Sequence, residues 1–315
     1  MTSDEEQKLI LFIDDEPHVV ARFALALERA DLRTRTLSNI TEVGAFLGQN
    51  DESPGCILLD LRFPGATELP LWVTKQGMRV GQALIPALQS HYQTTPIVIF
   101  SAEPIEVLYD IRRYHPTCHV LNKDEANGSI EQFVGFIRAL AEDVGLHLIE
   151  RLSACNPGPQ GAAEFERLCI DALHFLFLPP QKMVLSQSAK KDRSEIRDAV
   201  IPNVAERGYW NVMRHEYGAK QILFEFKNLT GPIGKEAVQQ LAGYLNKTIG
   251  RFGILISRTL PSTAAIKAQR KVLTDDSKLV LFVDDSELMQ MLKSRRGGGD
   301  PTDVLYALKH RLELE

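Results

Sequence analysis

The 315-residue sequence predicts two α/β units in tandem, the first a doubly wound parallel sheet. Three observations carry that expectation. Between residues 8 and 125, short apolar runs alternate with helical patterns, the order that builds a parallel sheet covered on both faces. Asn156-Pro157-Gly158-Pro159 is the clearest punctuation in the chain. Beyond it, an amphipathic helical stripe is followed by two strand-like runs. A hydrophobic content of 44% over this length suffices for two cores.

In the first half the strands read as LILFI, CILLDL, IVIFSA and CHVLNK, with helices over VVARFALALERA and near VGQALIPALQ. In such folds the site lies at the carboxyl ends of the strands, and polar residues stand there. Asp14 and Asp15 close the first run, Asp60 closes CILLD, Ser101 follows IVIF, and Lys123 follows HVLN. One acid at a strand end usually caps the next helix. Five polar groups at successive strand ends point instead to one shared site, where three carboxylates repel unless a hard cation such as Mg²⁺ joins them.

That set resembles the receiver domain of two-component response regulators, over residues 8 to 145. The resemblance implies a flavodoxin-like sheet of five parallel strands, with Asp60 as phosphoacceptor. Asp14, Asp15, Asp60 and the Arg62 backbone carbonyl would hold Mg²⁺, while Ser101 and Lys123 would meet the phosphoryl group. A carboxylate attacking a phosphoryl donor needs its charge offset, which is the role such a metal and lysine fill. The sequence departs from the family's pattern in a long stretch from Pro64 to Gly81, marked as a loop by Pro70 and Gly77. It departs again at Val120, three residues before Lys123, where an aromatic is usual, and at Asp124, where a proline is usual.

The last helix of this unit, near Ser129 to Glu142, is expected to run on through VGLHLIERL, giving domains at 1–145 and 161–315 joined by 146–160. In the second half, Phe165, Leu168, Cys169 and Leu173 form one helical stripe, with Glu166 beside it. EIRDAVIPN reads as a strand containing Asp198. KQILFEFKN reads as a strand that puts Glu225 and Lys227 on one face, because side chains alternate. An acid and a lysine in so apolar a strand are costly unless paired or functional.

Asp198 followed by Glu225-Phe226-Lys227 resembles the pattern of PD-(D/E)xK nucleases, and the Mrr-like restriction endonuclease domain above all, over residues 160 to 290. GAAEFE is similar to that group's G-x-x-F-E helix, with one residue more between Gly161 and Phe165, and assigns Glu166. QQLAGYL matches its Q-x-x-x-Y helix and assigns Gln240 and Tyr244. The resemblance implies an α/β unit with a mixed sheet and Mg²⁺, or Mn²⁺, held by Asp198 and Glu225. Glu166 would assist, Lys227 would orient or deprotonate the attacking water, and Gln240 would fix the lysine or meet the nucleic-acid backbone. The alternative is a Glu225/Lys227 ion pair in an inactive fold that binds DNA or dimerises as a signalling adaptor.

KLVLFVDDSE, at Lys278 to Glu287, echoes KLILFIDDEP, at Lys8 to Pro17. Too few residues follow it for a second receiver. It reads as a late strand of the nuclease-like sheet, with Asp284 or Asp285 capping the helix SELMQMLK. KKDRSEIR and SRRGGGDP could follow a phosphate backbone, and each also reads as a solvated loop. Tyr209 and Trp210 read as packing for the helix before the Glu-x-Lys strand.

The net charge of −5 divides unevenly: residues 1 to 150 carry 12 Lys+Arg against 22 Asp+Glu, and the remainder 24 against 19. The acidic half suits a cation and the mildly basic half allows a polyanion. Four cysteines without CxxC spacing read as reduced buried thiols, and no apolar run nears the ~20 residues of a membrane span, so a soluble cytoplasmic protein is expected. The expected function is a response regulator with a Mg²⁺-dependent endonuclease output. Its partners would be a histidine kinase and DNA, with RNA a second candidate substrate, a homodimer one allowed assembly, and anti-phage defence the setting by analogy.

Overall fold

The computed structural model describes residues 7–49, 52–62, 80–189 and 196–314. The expected loop around Pro70 and Gly77, and Lys190 to Glu195 of the basic segment, lie outside these residues. The chain forms two compact units, residues 1–144 with 296–299 and residues 145–295 with 300–315.

The first unit runs β1 (Leu9–Ile13), α1 (Pro17–Glu28), β2 (Arg33–Leu37), α2 (Ile40–Gln49), β3 (Cys56–Leu59), α3 (Val80–His91), β4 (Ile97–Ser101), α4 (Ile105–Tyr114), β5 (Cys118–Asn122), α5 (Lys123–Gly128) and α6 (Ile130–Ala141). Its five strands are parallel in the order β2-β1-β3-β4-β5. This doubly wound order reverses between β1 and β3, the topological switch point at which such sheets bind ligands. Alternation along each strand builds the two faces. Leu11, Ile13, Ile57, Leu59 and Ile99 meet Phe46 of α2, Leu84 and Ile85 of α3 and Leu108 of α4. Ile10, Phe12, Leu58, Val98 and Phe100 meet Phe23 of α1 and Phe133 and Ile137 of α6. Phe23, Phe100 and Phe133 form a ring cluster there, with centroids 4.9 to 5.4 Å apart.

The second unit runs α7 (Val144–Ala154), α8 (Ala162–Phe177), β6 (Leu185–Ala189), β7 (Ile196–Pro202), α9 (Gly208–Tyr217), β8 (Gln221–Lys227), α10 (Lys235–Tyr244), β9 (Phe252–Ser257), α11 (Thr263–Asp276), β10 (Leu279–Val283), α12 (Asp285–Arg296) and α13 (Thr302–Leu314). Its sheet is mixed, in the order β10-β9-β8-β7-β6, antiparallel from β6 to β8 and parallel from β8 to β10. One face, with Leu223, Leu255 and Val280, packs under α10 and α11 through Val238, Leu241 and Ala265. On the other, Phe224 stacks on Phe177 of α8, which meets Trp210 of α9 edge-on. Tyr209 and Trp210 are buried packing residues, as their sequence suggested.

Two expectations need correction. The helix expected to run unbroken from Ser129 through VGLHLIERL stops at Ala141, and α7 starts afresh at Val144. The interruption is Asp143, whose φ of 49° lies in the left-handed region that ends helices. The basic run SRRGGGDP is not a solvated loop at its start. Arg295 lies in α12 and donates to the carbonyls of Phe175 and Pro179 at 3.3 and 3.2 Å, at the end of α8.

The echo motif resolves into two different structures. β10 is an edge strand, and Asp284 caps α12 by accepting the Glu287 N–H at 3.0 Å while Glu287 accepts the Asp284 N–H at 2.9 Å. Such a reciprocal box satisfies two orphan donors of the helix start. Asp285 turns elsewhere, to Arg258 at 2.9 Å. Asp284→Ala is expected to lower the urea unfolding free energy of the second unit by about 1 kcal/mol. A loss near zero would assign the cap to another residue.

Candidate functional sites

In the first unit the five residues singled out at strand ends converge. Asp60 directly follows β3, and its amide donates to the Ile13 carbonyl at 2.9 Å, locking the ends of β1 and β3 together. One carboxylate oxygen of Asp60 accepts the Ser101 hydroxyl at 2.6 Å and the other accepts Lys123 Nζ at 2.5 Å. Lys123 also reaches Asp14 Oδ2 at 2.6 Å, and all three side chains are almost fully buried. Asp14, Asp15 and Asp60 bring one ligand oxygen each within 4.8 Å of one another, a group of three acids among the described residues.

Burial raises the Asp14 carboxyl above its ordinary range, and the Lys123 ammonium only partly opposes that. Asp15 is raised as well, by burial first and then by its acidic neighbours. Burial draws Lys123 down, but Asp60 and Asp14 outweigh it and the net shift is upward. One ammonium thus serves two carboxylates with a third beside them, so the group is short of positive charge. The donors are hard oxygens, and Mg²⁺ at about 2.1 Å from each ligand spaces them by about 3 to 4 Å. The residues therefore fit a divalent cation.

Three further residues shape this site and escaped the sequence reading. Asn122, at the end of β5, donates to the Glu103 carbonyl at 2.9 Å and accepts from the amides of Asp124 and Glu125 at 2.8 and 3.1 Å. That cap fixes Lys123 at the first turn of α5. It also explains Asp124, because a proline there would remove one of the capped donors. Glu103 pairs with Arg62 at 2.7 Å, and the Arg62 amide donates to Asp60 at 3.2 Å. Gly81, at the start of α3, sits so close to Asp60 that a Cβ would fall 1.8 Å from its carbonyl oxygen.

In the second unit β7 and β8 carry the predicted pair. Ala199 stands opposite Phe224, so one step along both antiparallel strands sets Asp198 beside Glu225. Asp198 Oδ2 accepts the Phe226 amide at 2.7 Å, and Lys227 Nζ donates to Glu225 Oε1 at 2.6 Å. Glu225 is 3% exposed, and its second oxygen, Oε2, is buried without a hydrogen-bond partner. Burial, and then the Glu225 charge, push the Asp198 carboxyl up to about 6, against the Phe226 amide and Lys227. Glu166 on α8 contributes to the same upward push. Gln240 on α10 is exposed and donates to Tyr244 at 3.1 Å, one helical turn on. The structure thus gathers Asp198, Glu225 and Lys227, sets Glu166 within electrostatic range, and engages Gln240 with Tyr244. All four cysteines are free and buried, and no helix among the described residues is long and apolar enough to cross a membrane.

The raised Asp198 carries a stability consequence. Between the unfolded value near 3.8 and about 6, the folded protein binds more protons than the unfolded, so stability falls as pH rises through that window. In metal-free buffer Asp198→Asn, which keeps an oxygen for the Phe226 amide, should therefore stabilise the protein at pH 8 and not at pH 4. The expected gain at pH 8 is on the order of 1–2 kcal/mol after solvent screening. Equal unfolding midpoints for mutant and parent at pH 8 would remove this account of Asp198.

No protein-family model matches the chain. Over 143 residues it is 30% identical to the putative transposon gamma-delta 80.3 kDa protein of Escherichia coli strain K12, which takes in 44% of this chain and 20% of that protein. The chain thus spans one fifth of that relative's length. Among solved structures, the receiver domain of the Francisella response regulator 1452 is similar with a TM-score of 0.34 at 18% identity, covering 44% of this chain and 99% of that one. A Clostridium thermocellum response regulator receiver domain gives 0.34 at 17%, covering 44% and 98%. Response regulator TrrA of Thermotoga maritima, in complex with Mg²⁺-BeF, gives 0.26 at 18%, covering 34% and 80%. The five-stranded doubly wound parallel sheet and the second, mixed sheet that the sequence leads one to expect are both present.

Proposed function

We propose that this chain is a phosphorylation-controlled response regulator whose output is Mg²⁺-dependent cleavage of nucleic acid, DNA foremost. The observation that carries the reading is an arrangement built twice, once in each unit. A buried carboxylate holds a lysine at 2.5 to 2.6 Å at the end of a strand, with further acids beside it. Burying such a pair is costly, and in each unit an acid nearby is pushed up in pKa, the signature of groups arranged for chemistry.

In the first unit Asp60 is the nucleophile. One of its oxygens attacks the phosphorus of a phosphohistidine or an acyl phosphate, a new P–O bond forms, and the donor leaves with the electron pair of the bond that breaks. Lys123 stays beside the product to balance its charge, and the Ser101 hydroxyl is placed to turn from Asp60 Oδ1 to a phosphoryl oxygen. Mg²⁺ on Asp14, Asp15 and Asp60 would supply the remaining charge neutralisation.

In the second unit the unpartnered Glu225 Oε2 and the raised Asp198 carboxyl are suited to a divalent cation, which would lower the pKa of an attacking water and offset charge on the scissile phosphate. Lys227 is anchored by Glu225 and half-buried, in position to orient that water or take its proton. The two halves together suit a histidine kinase as the upstream partner and an induced response, such as defence against phage, as the setting. A second reading, a fold that holds DNA without cutting it, draws on the closed Lys227–Glu225 pair and on Gln240 being engaged with Tyr244.

Purified protein incubated with acetyl phosphate should gain one phosphoryl mass that Asp60→Asn does not, and should break supercoiled plasmid in Mg²⁺ but not in chelator. Salt-sensitive DNA binding with intact plasmid would favour the second reading, and a chain without the mass gain would remove the first half of the proposal.

A further inference from the structure

The turn between α7 and α8, which the sequence marks only as punctuation, is fastened to the backbone of the candidate catalytic strand. Asn228, the residue after Lys227, donates its side-chain amide to the carbonyls of Asn156 and Gly158 at 2.9 and 2.8 Å, and the Gly158 amide returns a bond to the Asn228 carbonyl at 3.1 Å. Gly158 has φ +89°, which admits glycine alone without strain, and a Cβ on Gly161 would lie 2.0 Å from the Asn156 oxygen. The turn is shaped to the clasp.

A second clasp is Arg258, the residue after β9. Its guanidinium donates to the carbonyls of Leu152 and Cys155 at 2.9 and 2.6 Å, which are among the groups left open at the end of α7. It lies 5.5 Å from the ring centre of Phe165 in α8 and pairs with Asp285 at 2.9 Å. Its own amide donates to the Lys227 carbonyl at 3.3 Å. The end of α7 is therefore held at two points, each directly adjoining the peptide units of Lys227.

We propose that Asn228 and Arg258 are positioning residues that couple α7 to Lys227, so that the state of the first unit reaches the hydrolytic pair through the chain that leads out of it. This rests on the reading of Asp60 as phosphoacceptor and of Lys227 with Glu225 as hydrolytic groups. α7 begins at Val144, immediately after the left-handed Asp143, and its other end cannot shift without breaking bonds to Asn228 and Arg258 or dragging them along. Carbonyls stripped of partners are costly, and a misplacement of about 1 Å in a reacting group lowers a rate by about 10²-fold. Small movements of α7 are therefore enough to gate the site.

The test is amide hydrogen exchange on the full chain in Mg²⁺, with and without acetyl phosphate, with intact mass and plasmid cleavage read on the same samples. In the parent protein, peptides covering α7 and the end of β8 should change protection together when the phosphoryl group is taken up. In Asn228→Ala and Arg258→Met the α7 response should persist and the β8 response be lost, and the ratio of cleavage with phosphodonor to cleavage without it should move to one. A β8 response as large in both variants as in the parent, or none in the parent, overturns the coupling. Coupled exchange in a parent that never cuts plasmid would keep the clasp and retire the nuclease. Cleavage whose phosphodonor ratio is unchanged by either variant would do the reverse.

Discussion

Lys227→Ala is expected to lower Mg²⁺-dependent plasmid cleavage by about 10²–10⁴-fold, the range for removing a positioned general acid–base group. From Ile222 to Phe226 β8 is apolar except for Glu225, which alternation places on the same side as Lys227, and Glu225 is 3% exposed. A lysine serving only to neutralise Glu225 would leave catalysis nearly unchanged when removed, and the loss would appear in the melting temperature instead. Both readouts are therefore needed. A cleavage rate within a few-fold of the parent would assign Lys227 to the ion pair alone, whatever happened to stability.

The second large effect belongs to the first unit. Lys123→Met removes the ammonium that Asp14 and Asp60 share, and leaves two carboxylates buried without their partner. Removing one member of a buried ion pair costs about 3–5 kcal/mol, so the unfolding free energy in chelator should fall by that amount. Millimolar Mg²⁺ should recover part of the loss, because the remaining Asp14, Asp15 and Asp60 oxygens keep metal-ligand spacing. The parent should gain less from Mg²⁺ than the variant does. A loss below 1 kcal/mol in chelator, or equal stabilisation of both proteins by Mg²⁺, would mean that Lys123 does not carry this charge balance.

How much of this was legible in the sequence differs by element. β1, β3, β4 and β5 were readable because each is an apolar run buried on both faces. β2, RTRTL, went unread because an edge strand keeps polar side chains outward and leaves no apolar run. β6, LSQSA, is the edge of the second sheet and likewise offers no apolar run to read. The break at Asp143 was hidden because an aspartate carries no helix-stop signal as strong as glycine or proline.

The sites followed the same logic. Asp14, Asp60, Ser101 and Lys123 could be named because a polar residue directly after an apolar run marks a strand end, and strand order then brings those ends together. Asp198, Glu225 and Lys227 stood out as charges within apolar strands. Asn122, Asn228 and Arg258 are ordinary polar residues at or just beyond strand ends, and what they do depends on partners such as Asn156 and Leu152, distant in sequence. Only the folded chain reveals that. The echo at Lys278 to Glu287 taught the opposite lesson, since its aspartates cap α12 and pair with Arg258.

The most direct test of the central claim is the initial rate of plasmid cleavage by the full chain in Mg²⁺, with and without acetyl phosphate, for the parent and for Asp60→Asn. The account predicts a rate that changes with phosphodonor in the parent and does not change in Asp60→Asn. Intact plasmid in every tube, or a phosphodonor effect that survives the loss of Asp60, would contradict it.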